Sequence, residues 1–247
     1  MPISHLVSPK MKLKTSSKVL RHLFRGLLAA SLSAATAFAG DIASTAIKAE
    51  AYNHPVRVAC LGDSITMGVG TLVPAKESYP AQLQTILGPK WEVTNFGVGG
   101  RTLLRKQDPF AIGRGLKSNP DAVVIMLGTN DSRQATWDKF GSDFVGDYTG
   151  IIQAFKALNP QPRIWICSPT PMFPGRWNLS EELLTSKTIP AIQQVSKAND
   201  VPLIDLHTPF LGQKDEFKDT VHPDAKAARH IAELVAAALT GTSQVQP

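Results

Sequence analysis

Three side chains that together can carry out nucleophilic catalysis occur in this chain: Ser64, Asp219 and His222. A serine hydroxyl is a weak nucleophile until a base accepts its proton, and histidine, with an ordinary pKa of about 6.5, can be that base at neutral pH. Asp219 lies three residues before His222, so its carboxylate can fold back onto the other ring nitrogen and stabilise the imidazolium. These residue types predict attack on an acyl carbon by Ser64, with His222 as base and Asp219 as its partner.

The negative charge that develops during such an attack needs hydrogen-bond donors that are already in place. The candidates are the backbone N–H of Ser64, the backbone N–H of Gly100 and the side-chain amide of Asn130. Glycine at position 100 would let the backbone approach a substrate without an intervening Cβ atom. We therefore predict an oxyanion hole made by Ser64, Gly100 and Asn130.

The rest of the chain alternates short apolar runs with longer amphipathic stretches. Five runs rich in Val and Ile predict buried strands: 56–61, 91–98, 121–127, 163–167 and 201–206. Four stretches predict helices from their apolar periodicity: 79–87, 140–158, 179–198 and 224–239. Pro190 is a point at which the third helix could break, and Asp224 suits the positive N-terminal end of the fourth.

Strands that alternate with helices predict a five-stranded parallel sheet with helices on both faces, which is a three-layer α/β/α fold. Ligands of such sheets bind at the carboxyl ends of the strands, near the point where the strand order reverses. Ser64, Gly100 and Asn130 each follow one of the first three strands, whereas Asp219 and His222 precede the last helix. We therefore expect these five residues to meet at one edge of the sheet.

The first 39 residues have the layout of a secretory signal peptide, because a basic stretch is followed by an apolar run and an Ala-Phe-Ala cleavage pattern. The apolar run, 26–38, is shorter than the roughly 20 residues that span a bilayer, so we expect no stable membrane anchor. Translation from Met1 or from Met11 fits this layout, and the mature protein is expected to be secreted or periplasmic. The expected organisation is a signal peptide at 1–39, a lead-in at 40–55, one domain at 56–240 and a tail at 241–247.

The charge of the chain argues against a nucleic-acid-binding protein. Six of the 26 basic residues lie within 1–39, which holds no acidic residue. The 20 that remain equal the 20 acidic residues of the chain. The predicted mature protein is therefore neutral, and no polyanion-binding surface is expected.

The remaining reactive side chains give weaker signals. Cys60 and Cys167 lie in the first and fourth predicted strands, and an intervening strand would hold them about 9–10 Å apart, beyond the limit of about 7 Å for a disulfide. We expect two buried free thiols.

His207 lies near Asp205, but no third residue has metal-ligand spacing. We therefore expect a histidine whose ring is hydrogen-bonded to backbone, with no metal and no cofactor. The glycines before Arg101 lack the full spacing of a dinucleotide loop.

The four blocks around Ser64, Gly100, Asn130 and His222 appear in the order that names the SGNH hydrolases, also called the GDSL esterase/lipase family, and the chain resembles that family over most of 57–240. The resemblance implies a flavodoxin-like SGNH hydrolase fold, Ser64 as the nucleophile and Gly100 and Asn130 as oxyanion-hole residues. It also implies that Asp219 and His222 are the acid and base.

Secreted proteins that resemble this pattern often remove acetyl groups from carbohydrates, so the resemblance implies a glycan or a small-molecule ester as substrate. Lysophospholipase, arylesterase, thioesterase and O-acyltransferase activities would use the same residues. A non-catalytic glycan-binding module would need a broken catalytic set, and no expected residue is missing from the sequence.

The short loops contain no long apolar lid that could sequester a fatty chain. We expect an exposed pocket wall that includes the substrate-binding candidates Arg101, Leu103, Trp177 and Val221, together with Leu104, Met172 and Phe173. Arg101 and Arg105 could meet a polar or anionic group. Asp63 and Asp131 are expected to hold loops together rather than to react.

Overall fold

A computed structural model of the chain describes residues 46–103, 109–175 and 177–242. The predicted signal peptide at 1–39, and the candidates Leu104 and Arg105, lie outside these ranges. Within them, no helix combines the length and the apolar character that a membrane crossing requires.

Five parallel strands form one sheet in the described part of the chain: β1 (Val56–Gly62), β2 (Trp91–Gly97), β3 (Ala122–Met126), β4 (Arg163–Cys167) and β5 (Leu203–Ile204). Their order across the sheet is β2-β1-β3-β4-β5. This is the flavodoxin-like order, in which the direction of winding reverses between β1 and β3. The predicted five-stranded parallel sheet is confirmed, and its switch point lies beside the strand that ends at Gly62.

The central strands are apolar because both of their faces are covered. All five residues of β3 are buried, as is typical of strands in a parallel sheet with helices on each side. The last strand is shorter than the predicted range 201–206. It is an edge strand, and Pro202, which has no N–H, contributes only its carbonyl oxygen to Ile166.

The α-helices of the described ranges are α1 (Ser64–Met67), α2 (Pro74–Glu77), α3 (Tyr79–Leu87), α4 (Pro109–Lys117), α5 (Gln134–Phe140), α6 (Phe144–Lys156), α7 (Glu181–Leu183), α8 (Ile189–Asn199) and α9 (Ala225–Thr240). Helices α3 and α9 pack on one face of the sheet against Val58 and Cys60. Helices α4, α6 and α8 pack on the other face against Ala59 and Leu61. Successive side chains of β1 thus enter two separate cores, which confirms the three-layer fold.

The prediction of one helix over 140–158 is wrong at its amino-terminal end. The structure has two helices there, α5 and α6, which are separated near Gly141. A Cβ atom at this glycine would lie 2.6 Å from the Trp137 carbonyl oxygen, so the close turn requires glycine. Helix α4 was not predicted, since Gly113 and Gly115 give its sequence a low helix propensity.

Pro190 does not interrupt the helical path at 181–199. A π-helical segment, Leu184–Thr188, joins α7 to α8, and Pro190 lies in the first turn of α8. The proline follows the wider π-helical turn, and its missing N–H leaves this path one hydrogen bond short.

Both cysteines are buried free thiols, as predicted. Cys60 is in β1 and Cys167 is in β4, and β3 lies between these strands. Burial raises the pKa of the Cys60 thiol to about 12 and also raises that of Cys167, so neither is ionised at neutral pH.

Candidate active site

Ser64, His222 and Asp219, which are up to 158 positions apart in the chain, form one hydrogen-bonded row. The Ser64 Oγ lies 2.8 Å from His222 Nε2. The Nδ1 of the same ring lies 2.6 Å from Asp219 Oδ2. If Nδ1 carries the proton that the carboxylate accepts, Nε2 is left as an acceptor for the serine hydroxyl. The arrangement can therefore move a proton from Ser64 to His222.

The short helix α1 presents Ser64 at its first position. The Asp63 Oδ1 caps this helix by accepting a hydrogen bond from the Ile65 N–H at 2.9 Å. Gly68, with φ of 101°, ends it after one turn. The Ser64 N–H has no acceptor within the helix, as at any helix N-terminus, and the helix dipole adds positive potential there. This backbone donor is thus suited to a developing negative charge.

The side-chain carboxylate of Asp219 stabilises the loop that carries Asp219 and His222. Asp219 Oδ1 accepts the Val221 N–H at 3.1 Å and the His222 N–H at 2.8 Å. Partial burial tends to raise the pKa of Asp219, but the hydrogen bonds from the His222 backbone and ring outweigh it and hold that pKa below its ordinary value. The carboxylate therefore stays ionised at neutral pH. Between the two residues, Thr220 adopts φ of 75°, a conformation that costs a residue with a Cβ atom on the order of 1–3 kcal/mol.

The two other oxyanion-hole candidates lie on loops that are joined to each other. The buried Asn130 amide donates to the Arg101 carbonyl at 3.0 Å, directly after Gly100. An amide nitrogen carries two hydrogens, so a second is left for a ligand. Gly100 has φ of 73° and open space around the position of a Cβ atom. The left-handed backbone at position 100 thus favours glycine. The lack of a Cβ atom there also leaves access for a substrate.

Two other glycines bring the strand ends against the serine helix, a packing role that the sequence did not predict. A Cβ atom at Gly62 would lie 1.9 Å from Thr66 Oγ1, and one at Gly97 would lie 2.2 Å from the Met67 nitrogen. Such distances exclude any larger residue without movement of the backbone. The ends of β1 and β2 can approach α1 only because both positions lack side chains.

Trp177 forms a wall of the histidine site. Its ring packs edge-on against the His222 ring with centroids 5.4 Å apart, and its Nε1 donates to the Asp219 carbonyl oxygen at 3.1 Å. The segment that leads to it is fastened to the same loop, because the Phe173 N–H donates to the Thr220 carbonyl at 2.9 Å. Trp177 was predicted as a substrate contact, and the structure places it against the histidine and aspartate.

The expectation that Arg101, Leu103, Met172 and Val221 form an exposed wall is wrong. These residues are buried, with exposed fractions of 2–5%. Leu103 is held from inside the protein, since its N–H donates to Asp131 Oδ1 at 3.0 Å. Their predicted exposure is therefore wrong, and their part in substrate binding stays a prediction.

His207 is satisfied by a carboxylate and not, as expected, by backbone alone. Its Nε2 lies 2.6 Å from Glu181 Oε1, and Glu181 Oε2 accepts the Met172 N–H at 2.7 Å. The His207 N–H donates to Asp205. Among the described residues, no group of three or more His, Cys, Asp or Glu side chains is arranged to hold a metal ion.

Two further carboxyl groups, those of Asp63 and Asp131, are buried next to residues of the site. Burial raises the pKa of Asp63 to about 6, against the lowering effect of the Ile65 N–H. Burial also raises the pKa of Asp131 to about 7, against the lowering effect of the Leu103 N–H. Both hold loops, as predicted: Asp63 caps α1, and Asp131 ties the end of β3 to the segment after Gly100.

Asp131→Asn is expected to change the pH dependence of stability. The folded protein keeps the Asp131 proton up to about pH 7, whereas the unfolded chain releases it near pH 4. This group therefore adds stability below about pH 4 that is lost as the pH rises through about 7. Asparagine cannot ionise, so the stability of the variant relative to the natural protein should rise by on the order of 2–4 kcal/mol from pH 4 to pH 8.

Urea denaturation at several pH values across this range measures the difference. Asp143→Asn, which alters an exposed carboxylate, is the matched control and should follow the natural protein. A difference between Asp131→Asn and the natural protein that is constant from pH 4 to pH 8 would contradict the prediction.

Residues 60–230 match the sequence pattern of the GDSL-like lipase/acylhydrolase family. The chain is also 41% identical over 207 residues to an acetylxylan esterase of Xylanibacter ruminicola, in an alignment that covers 74% of this chain and 43% of that protein. The chain thus spans less than half the length of this curated relative.

Solved structures show the same fold at lower identity. A protein of Slackia heliotrinireducens assigned as an SGNH hydrolase has a TM-score of 0.60 at 20% identity, over 75% of this chain and 99% of that chain. The aryl esterase of M. smegmatis has a TM-score of 0.57 at 23% identity, over 74% of this chain and all of that chain. At these identities the likeness shows a shared fold.

Proposed function

The chain belongs to the GDSL-like lipase/acylhydrolase family, the SGNH hydrolases, and on that premise we propose that it is a serine ester hydrolase that removes acetyl groups from carbohydrate. The observation that carries the proposal is the 2.8 Å approach of Ser64 Oγ to His222 Nε2, in a chain that is 41% identical to an acetylxylan esterase. The geometry supports ester hydrolysis as the reaction, and the similarity to the acetylxylan esterase supports an acetylated glycan as the substrate.

In the first half of the reaction, His222 Nε2 accepts the Ser64 hydroxyl proton while Oγ forms a bond to the ester carbonyl carbon. The carbonyl oxygen becomes an oxyanion, and the Ser64 N–H, the Gly100 N–H and the Asn130 amide donate to it. One such donor is worth about 2.7–4 kcal/mol of transition-state stabilisation. The ionised Asp219 stabilises the imidazolium.

Collapse of this intermediate breaks the bond between the acyl carbon and the alcohol oxygen, and His222 gives its proton to the leaving alcohol. Water then enters, His222 accepts one of its protons, and the resulting hydroxide attacks the acyl carbon. The Ser64 oxygen leaves with the proton returned by His222, and the acid is released. Each proton that the histidine accepts is given back, so the enzyme is unchanged after one turnover.

The preference for acetyl is tested with p-nitrophenyl acetate, butyrate, octanoate and palmitate, followed by acetylated xylan with acetate release as the readout. We expect kcat/KM to fall steeply beyond acetate, and acetate to be released from the glycan. A pocket that rejects longer chains discriminates by about 1–3 kcal/mol for each added methylene, or roughly 10–200-fold.

A preference for octanoate or palmitate would contradict the carbohydrate assignment and favour a lipid ester. Transfer of the acetyl group to an added sugar in preference to water would identify an acyltransferase.

We also propose that the enzyme is secreted, because residues 1–39 have a signal-peptide layout. Amino-terminal sequencing of the exported protein, with residue 40 expected first, tests that proposal.

A further inference from the structure

Exposed apolar side chains are concentrated in the segment that follows the serine. Among the residues that the structure describes, four large apolar side chains are exposed: Met67 at 43%, Leu72 at 92%, Val73 at 46% and Leu211 at 55%. Three of them lie within seven positions, beginning three residues after Ser64. Single exposed apolar residues are ordinary, whereas several in one short segment make that segment a candidate for contact with a ligand or a partner.

The backbone of this segment is held in place by Glu77 and by contact with the His222 loop. The Glu77 Oε2 accepts the Leu72 N–H at 2.8 Å and the Val73 N–H at 2.9 Å. A Cβ atom at Gly70 would lie 2.9 Å from His222 Cβ, so the backbone at Gly70 packs against the histidine. This rigidity lowers the entropic cost of binding a ligand on the segment.

A groove of about 400 Å³ begins at Met67. Its walls include Met67, Pro74, Ala75, Ala81, Val93 and Asn95. The volume is in the range of roughly 300–1,000 Å³ that is typical of ligand sites. The Met67 Cε lies 3.8 Å from the position of a Cβ atom at Gly99. The groove is therefore separated from the predicted oxyanion loop by only one side chain.

The groove lies next to the helix that carries the serine. Met67 lines the groove and is on the same short helix as Ser64, three residues further along the chain. In the proposed substrate the acetyl group is the smaller side of the ester and the glycan is the larger side. The groove is therefore better suited to the glycan side.

We propose that this groove is a subsite for an uncharged glycan, binding the sugar residues next to the acetylated one. The inference rests on the proposed function and names where that substrate lies. The described residues that line the groove carry no charge, which fits a neutral sugar chain. Aliphatic walls contact the C–H faces of sugar rings. The Asn95 amide, which donates one hydrogen to the Thr66 carbonyl at 2.7 Å, has a second hydrogen for a sugar hydroxyl.

The test fills the groove without touching the serine or the histidine. Ala75 is exposed on α2, so Ala75→Trp can place its ring in the groove without disturbing the core. The readout is kcat/KM on acetylated xylan divided by kcat/KM on p-nitrophenyl acetate. We expect this ratio to fall by about tenfold or more in Ala75→Trp, and to keep its natural value in Ala75→Ser, which leaves the groove open.

Leu211→Trp, which places the same ring at an exposed residue that does not line the groove, is the second control. An unchanged ratio in Ala75→Trp would overturn the subsite and leave the proposed function intact. An equal fall in Leu211→Trp would also overturn it. A fall confined to octanoate hydrolysis would assign the groove to an acyl chain. Failure of the natural enzyme to release acetate from xylan would overturn the proposed function and the subsite together.

Discussion

Replacing Ser64 with alanine is expected to lower kcat for p-nitrophenyl acetate by at least about 10⁴-fold. Alanine has no oxygen to attack the carbonyl carbon, so the acyl-enzyme route is closed and His222 has no hydroxyl proton to accept. The residual activity would come from water attack assisted by the oxyanion donors. The folded structure should be retained, because Ser64 is partly exposed and, among the described residues, its hydroxyl is bonded only to the His222 ring.

Steady-state kinetics on the purified protein give kcat, and a reagent that acylates or phosphonylates serine gives a second readout by mass. The natural protein should gain one adduct and Ser64→Ala none. Ser118→Ala is a matched control, since it removes a serine hydroxyl that donates to the Gly115 carbonyl away from the site. A Ser64→Ala protein that keeps more than about a tenth of the natural kcat would exclude the serine mechanism.

Much of the sheet could be predicted because its signals are local. A strand that is buried on both faces must be apolar throughout, and β3 is buried at every position. The order of the strands cannot be predicted from local signals, since it depends on which strands pair with each other. The rule that crossover connections are right-handed limits the number of possible orders. The candidate residues could be identified because they are polar and directly follow apolar strands, which places them at the edge of the sheet where ligands bind.

The contacts that support those residues depend on segments that are far apart in the chain. Trp177 packs on His222 across 45 positions, and Glu181 holds both His207 and the Met172 N–H. No spacing rule predicts such pairs. The burial of Arg101 was missed for the same reason, because a charged side chain beside a glycine loop is exposed in most proteins.

Asp219→Asn is expected to lower kcat by on the order of 10⁴-fold with little change in the fold. The natural carboxylate uses one oxygen for the backbone N–H groups of Val221 and His222, and the other for the ring Nδ1. An asparagine that keeps its oxygen on the backbone turns its NH₂ group toward Nδ1. The ring nitrogen must then accept, which places the proton on Nε2.

In that tautomer Nε2 is a donor and no longer an acceptor for the Ser64 proton, so the base is lost although every atom is close to its natural position. The asparagine also lacks the negative charge that stabilises the imidazolium. Asp215→Asn, which changes an exposed carboxylate four residues away, should keep the natural kcat. Thermal unfolding of both variants separates a catalytic loss from an unfolded loop. If Asp219→Asn stayed within tenfold of the natural enzyme, the carboxylate would have no part in orienting His222.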